Sequence, residues 1–189
     1  MNLLEAALAD LAGFLSESRV PYMVIGGFAN LKWGRPRLTQ DLDLSVLVPD
    51  AELPSFMVRL GKRYELLAPD PLGLARETRV VPLATSAGVR ADLILAGLDY
   101  EEAAVRRAVS VPVAGMTVCL CTAEDLIIHK LASQRLRDQE DAEGVIVRQG
   151  PALDRAYLEP LVQQVSAELD RPAIVEFYRA CLGKAGITA

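Results

Sequence analysis

The stretch VIGGFANLKWGRPRLTQDLDLSV, residues 24–46, carries most of what can be read from this chain. Tyr22-Met23-Val24-Ile25 is a short apolar run that reads as a buried strand ending at Gly26-Gly27. Phe28 to Trp33 reads as a short helix closed by Gly34 and Pro36. Leu42, Leu44, Val46 and Val48 then alternate through DLDLSVLV, which predicts a second strand. A Gly-Gly between strand and helix lets backbone N–H groups approach an anion closely, and the helix aims its positive end at the same place. Taken alone, the same pair is more often an ordinary turn.

Asp41-Leu42-Asp43 adds the second feature. On a strand, residues i and i+2 share a face, so the two carboxylates converge while Leu42 and Leu44 point to the core. Paired carboxylates repel unless a cation lies between them. Mg²⁺ suits such a pair, because it takes one or two carboxylates together with substrate phosphates and water. The plain alternative is an exposed D-x-D on an edge strand. A third acid, Asp92, sits in the predicted strand Val89–Leu95, where an unpaired buried carboxylate would be costly. Should that strand lie beside 41–48, Asp92 reaches the pair; otherwise it faces solvent.

The remaining pattern extends outward from this core. Leu4, Leu8, Leu11 and Leu15 form one stripe of an N-terminal amphipathic helix. Residues 52–63 read as helical. Arg79–Val81 and Val89–Leu95 flank Ser86-Ala87-Gly88 as a hairpin. A helix over 99–107 and strands near 109–113 and 117–121 follow. Thr122 to Asp125 resembles a helix-opening cap, and the rest is mostly helical, broken at Gly150-Pro151 and around Asp170–Pro172. The expectation is an α+β core over 1–121 with its N-terminal helix, and a helical region over 122–189 packed on it. Cys119 and Cys121 alternate within an apolar run and are expected as two buried thiols.

With Gly26-Gly27, Asp41-x-Asp43 and a later strand aspartate in place, the chain resembles the nucleotidyltransferase superfamily with the DNA polymerase beta-like fold. More narrowly, Gly34, Arg37, Thr39, Asp41 and Asp43, in that order, are similar to the minimal bacterial nucleotidyltransferases grouped with the AbiEii/AbiGii toxins. The likeness continues through EDLIIHKLASQRLRDQED, residues 124–141. It implies a mixed sheet with flanking helices and a helical C-terminal part. It further implies that Asp41, Asp43 and Asp92 are the catalytic, metal-binding carboxylates. Gly26, Gly27, Arg37, Thr39, Lys130 and Arg137 would be the nucleotide-binding residues.

The activity so implied is transfer of a nucleoside monophosphate from an NTP to a hydroxyl on tRNA, protein or a small molecule. Two Mg²⁺ ions are expected, with Mn²⁺ as a substitute. A role as the toxin of a toxin–antitoxin pair would bring a cognate antitoxin as partner. Two alternatives stand beside it: a non-catalytic nucleotide-binding or regulatory module, and an antibiotic-modifying nucleotidyltransferase. On the residues themselves, Lys130, Gln134, Arg137 and Asp141 are spaced to share one helix face, with Ile128, Ala132 and Leu136 facing inward. That polar face is either a phosphate-facing wall or a solvated surface.

Composition narrows the class. The chain has 189 residues, 51% hydrophobic and 24% charged, enough to fold around its own core without disulfide or metal staples. A net charge of −5 speaks against an extended duplex-binding surface. With one histidine and three cysteines lacking CxxC spacing, a zinc site or a Ser-His-Asp triad has little material. The N-terminal segment lacks a basic n-region, and no run is long enough to cross a bilayer, so a cytoplasmic protein is expected.

Overall fold

The computed structural model describes residues 2–187. Its contacts divide the chain into two compact units, one comprising residues through Phe28 together with Leu38–Cys121, the other Ala29–Arg37 together with the segment from Thr122 onward.

The first unit is built on a seven-stranded mixed sheet. Its strands are β1 (Tyr22–Ile25), β2 (Leu42–Val46), β3 (Glu65–Leu66), β4 (Val80–Ala84), β5 (Arg90–Leu95), β6 (Val109–Val113) and β7 (Met116–Leu120), in the order β3-β4-β5-β2-β1-β7-β6. β1 and β2 are antiparallel, β2 and β5 parallel, and β1 and β7 parallel. The predicted hairpin is β4–β5, joined through Ser86–Gly88. The central strands alternate as their sequence requires: Leu42, Leu44 and Val46 are fully buried on one face of β2, while half-buried Asp43 lies on the other.

Helices α1 (Leu3–Glu17), α3 (Leu53–Gly61), α4 (Pro71–Thr78) and α5 (Asp99–Arg107) complete this unit. The leucine stripe of α1 buries Leu8, Leu11 and Leu15 completely. Phe14 sets its ring edge-on to Tyr64 at 5.4 Å and within 6.3 Å of Phe56, so α1 and α3 share an aromatic cluster. Truncating any of these leucines to Ala costs about 2–5 kcal/mol, the transfer loss plus a cavity. Helix α4 has no counterpart in the sequence reading. Only Ala75 of it is buried, so its apolar periodicity is weak. Its cap was visible, however: Asp70 Oδ1 accepts the Gly73 N–H at 2.9 Å and Pro71 occupies the first turn.

Helix α2 (Gly26–Trp33) carries the chain from the first unit into the second. It starts two residues earlier than predicted, on the glycines themselves. The second unit then gathers α6 (Ala123–Ala132), α7 (Leu136–Gln149), a short 3-10 turn (Gly150–Ala152), α8 (Arg155–Glu168) and α9 (Ala173–Lys184). Leu126, Ile127, Val145, Ile146, Leu158, Val162 and Leu182 are its buried apolar residues. Thr122 caps α6, its hydroxyl accepting the Asp125 N–H at 3.2 Å.

Two expectations need correction here. Lys130, Gln134, Arg137 and Asp141 do not lie on one helix, because the chain breaks between α6 and α7 at residues 133–135. Ser133 is the local cause: its Oγ accepts the Arg135 N–H at 3.2 Å, a side chain–backbone turn that ends the helical ladder. Leu136 consequently faces solvent at 71% exposure instead of packing inward. Cys121 is buried, whereas Cys119 is only half-buried, so the two thiols do not share one core environment.

Candidate active site

Within the first unit, the register of three central strands creates one acidic corner. Asp43 on β2 is the direct partner of Asp92 on the parallel strand β5, and of Ile25 on β1. Residues paired in this way project to the same side of the sheet, one strand spacing (~4.8 Å) apart. Both aspartates lie half-buried. The condition under which Asp92 comes beside the D-x-D strand, adjacency of their two strands, is met in the sheet.

Gly26 lies against Asp43. It has φ +64°, the left-handed region that glycine enters without a steric penalty, and it opens α2 immediately after β1. A Cβ built there would overlap the Asp43 carboxylate, so the close approach of backbone to acid depends on the missing side chain. The start of α2 thus stands beside the acid pair, with N–H groups that an oxyanion can use.

The other acids and their neighbours are arranged less tightly. Asp41 lies just before β2 and is exposed; the Thr39 hydroxyl is 3.2 Å from its carbonyl and 3.3 Å from its Oδ1. Asp92 receives Arg90 Nη2 at 3.1 and 3.4 Å, an ion pair between positions i and i+2 on one strand face. Among the described residues, no three His, Cys, Asp or Glu side chains are arranged to hold a metal ion. The sheet gathers Asp43 and Asp92, and Asp41 stands apart with Thr39. As a donor set, paired carboxylate oxygens fit a hard divalent cation such as Mg²⁺ or Mn²⁺. A cavity of about 700 Å³ lies at the far end of β2 and β5, beside Val48, Ile94, Leu95 and Leu98, and none of these acids lines it.

Within the second unit, Lys130 and Arg37 meet a different setting. Lys130 is buried and its Nζ donates to Asp138 and, at 2.9 Å, to Asp141. Arg37 forks onto Asp141, Nε to Oδ1 at 2.9 Å and Nη2 to Oδ2 at 2.8 Å. Asn30 Nδ2 adds a third donor to Asp141 at 3.2 Å. Asp138 also accepts Ser133 Oγ at 2.7 Å and Arg135 Nε at 2.6 Å. Burial by itself would raise both carboxyls. For Asp138 the hydrogen bonds from Lys130 and Ser133 outweigh it and hold the group below the usual carboxylate range. For Asp141 those from Arg37 and Lys130 do the same. Arg137 is exposed and takes no part in this network.

Three of these residues had no role in the sequence reading. Asn30 gave no signal, being a lone amide in a helix. Asp138 lies in the 124–141 stretch without a role of its own, and Arg90 only in a predicted strand. The same-face spacing of Arg90 and Asp92 was there to be used.

No family model and no curated protein sequence matches the chain. Solved structures do. An antigenic nucleotidyltransferase-like protein from Paracoccidioides brasiliensis aligns with a TM-score of 0.56 at 20% identity, over 98% of this chain and 94% of that one. ANT(2″)-Ia in complex with adenylyl-2″-tobramycin gives 0.59 at 13% identity, over 89% and 99%. The lincosamide antibiotic adenylyltransferase LnuA, lincomycin-bound, gives 0.51 at 13% identity, over 75% and 95%. At such identities the likeness establishes the fold, an α+β architecture on a mixed sheet shared with nucleotidyltransferase-like proteins. No helix among the described residues is long and apolar enough to cross a membrane.

Proposed function

We propose that this chain is a divalent metal-dependent nucleotidyltransferase that moves a nucleoside monophosphate from an NTP to a hydroxyl acceptor. The observation that carries the reading is the Asp43–Asp92 register pair with Gly26 pressed against Asp43 at the start of a helix. Two carboxylates held side by side repel each other, and a divalent cation between them relieves that repulsion. The likeness in fold to a lincosamide antibiotic adenylyltransferase, and to ANT(2″)-Ia in complex with adenylyl-2″-tobramycin, is consistent with this chemistry.

In this reading Asp43 and Asp92 hold the metal, with Asp41 as the third carboxylate. Once bound, Mg²⁺ or Mn²⁺ supplies charge neutralisation for the polyphosphate and a lowered pKa for the attacking hydroxyl. The N–H groups that open α2 at Gly26 and Gly27 receive phosphate oxygens, where the helix dipole favours negative charge. Thr39 orders the approach to Asp41 through its hydroxyl. Asp92, facing the same side as Asp43, accepts the proton of the acceptor hydroxyl as the new P–O bond forms and pyrophosphate leaves.

The acceptor is tRNA, a protein or a small molecule. An antibiotic-type acceptor draws support from two proteins of like fold, a lincosamide antibiotic adenylyltransferase and ANT(2″)-Ia with adenylyl-2″-tobramycin, and a toxin role with a cognate antitoxin rests on the sequence resemblance alone. A non-catalytic nucleotide-binding module is the second reading, favoured by the Arg90 pairing that already occupies Asp92. Incubation with each labelled NTP and Mg²⁺ against separate pools of RNA, protein and amino-hydroxylated metabolites tests the proposal. Label transferred by the wild type and lost in Asp43→Asn supports it. Nucleotide binding with no transfer to any pool supports the second reading instead.

A further inference from the structure

Residues 29–37, between α2 and the D-x-D strand, are held by side chains to an unusual degree. Three consecutive carbonyls each accept a side-chain donor: Trp33 from Gln149 Nε2 at 2.7 Å, Gly34 from Arg148, and Arg35 from Asn30 Nδ2 at 2.9 Å. Two of these donors belong to α7. The segment also packs closely on that helix: a Cβ on Gly144 would stand 3.2 Å from Arg35 Cγ, and one on Gly34 would overlap Asn30. Arg37 closes the segment with its two-pronged contact to Asp141.

We propose that residues 29–37 form a latched strap, and that Lys130 and Arg37 are positioning residues that set its conformation through Asp141 instead of phosphate ligands. Asp141 is the hub. Its two oxygens take Arg37 twice, Asn30 once and Lys130 once. Lys130 is already matched by two buried carboxylates, Asp138 and Asp141, so a phosphate would have to displace a short, desolvated ion pair to reach it. Arg37 spends the planar fork that would grip a phosphate on a carboxylate of its own chain. The chain leaves the latch at Arg37 and reaches Asp41 four residues later.

Trp33 is the single tryptophan of the chain and lies in the strap, which gives the latch a direct optical reporter. The test uses the full-length protein as Arg37→Gln, Lys130→Met and Lys130→Met/Asp138→Asn, with acrylamide quenching of Trp33 and far-ultraviolet circular dichroism. Both single variants are expected to raise the quenching constant about twofold or more while helix and strand content stay unchanged, the signature of a local release. The double variant is expected to return toward wild type, because removing one carboxylate rebalances the buried charge. Quenching unchanged in both single variants, or a double variant as quenchable as Lys130→Met, overturns the proposal. If Lys130→Met does not fold, Arg37→Gln, at a partly exposed site, carries the test.

The kinetic arm rests on the nucleotidyltransferase reading. A positioning role predicts a fall in kcat with the NTP KM within about twofold, whereas loss of a phosphate ligand raises KM about tenfold with Trp33 unmoved. A wild type that transfers nothing removes the nucleotidyltransferase reading alone, since the Trp33 arm still decides the latch.

Discussion

The chain keeps two pairs of aspartates, and they are treated in opposite ways. Asp138 and Asp141 are buried and saturated, taking hydrogen bonds from Lys130, Arg37, Asn30, Ser133 and Arg135. Asp43 and Asp92 are set side by side on the sheet, and Asp92 pairs with Arg90, which is itself largely exposed. The first pair has its counter-charge built in and stabilises a conformation. The second is half-buried beside the glycine start of α2, the setting we propose for a metal and a polyphosphate. Carboxylate count alone does not identify a site; the setting of each carboxylate does.

The sharpest way to break this contrast is to remove one member of each pair and measure both stability and nucleotide transfer. Asp141→Ala strands Lys130 and Arg37 without their shared partner. It is expected to cost about 3–5 kcal/mol of stability, read as a lower midpoint in urea. Asp43→Asn is expected to leave that midpoint nearly unchanged and to lower transfer by about 10²–10³-fold, the scale seen when one preorganised electrostatic group is lost from a transition state. Equal stability losses for the two variants would erase the distinction between them.

Acid titration sharpens the same comparison. Asp138 and Asp141 are depressed in the folded state, so their contribution is present above the unfolded carboxylate pKa of about 3.9 and is lost as pH falls through the folded values. The wild type should therefore lose stability steeply below about pH 4, with Trp33 quenching rising in the same range. Asp138→Asn should flatten that acid limb. An acid limb equally steep in Asp138→Asn would place the titrating groups elsewhere.

Smaller effects come from the supports of the acidic corner. Gly26→Ala forces a side chain into a left-handed position and into the Asp43 carboxylate, costing about 1–3 kcal/mol and nucleotide affinity together. Arg90→Gln removes a solvent-exposed pair worth at most about 1 kcal/mol, and is expected to tighten Mn²⁺ binding a few-fold by freeing Asp92. Calorimetry with Mn²⁺ alone reads that change, and weaker binding would mean that Arg90 supports the site instead of competing for it.

The acidic corner was largely legible in the sequence because each part is written locally. Period-two alternation marks β2 and β5, the Ser86–Gly88 turn joins β4 to β5, and paired glycines mark the entry to α2. The buried network was not legible. Lys130 and Arg37 are far apart in sequence and meet only through Asp141, and the break at Ser133 hides inside a stretch with unbroken helical spacing. Charge spacing on an assumed single helix placed Lys130 on a polar face, while tertiary packing buries it. Long-range charge pairing of this kind has no periodic signature.

The most direct test of the central claim is calorimetry of each NTP with and without Mg²⁺ on wild type and Asp43→Asn. The account predicts metal-dependent nucleotide binding by the wild type that disappears in the variant while the urea midpoint holds. Binding of equal strength in both proteins, or binding indifferent to Mg²⁺, would contradict it.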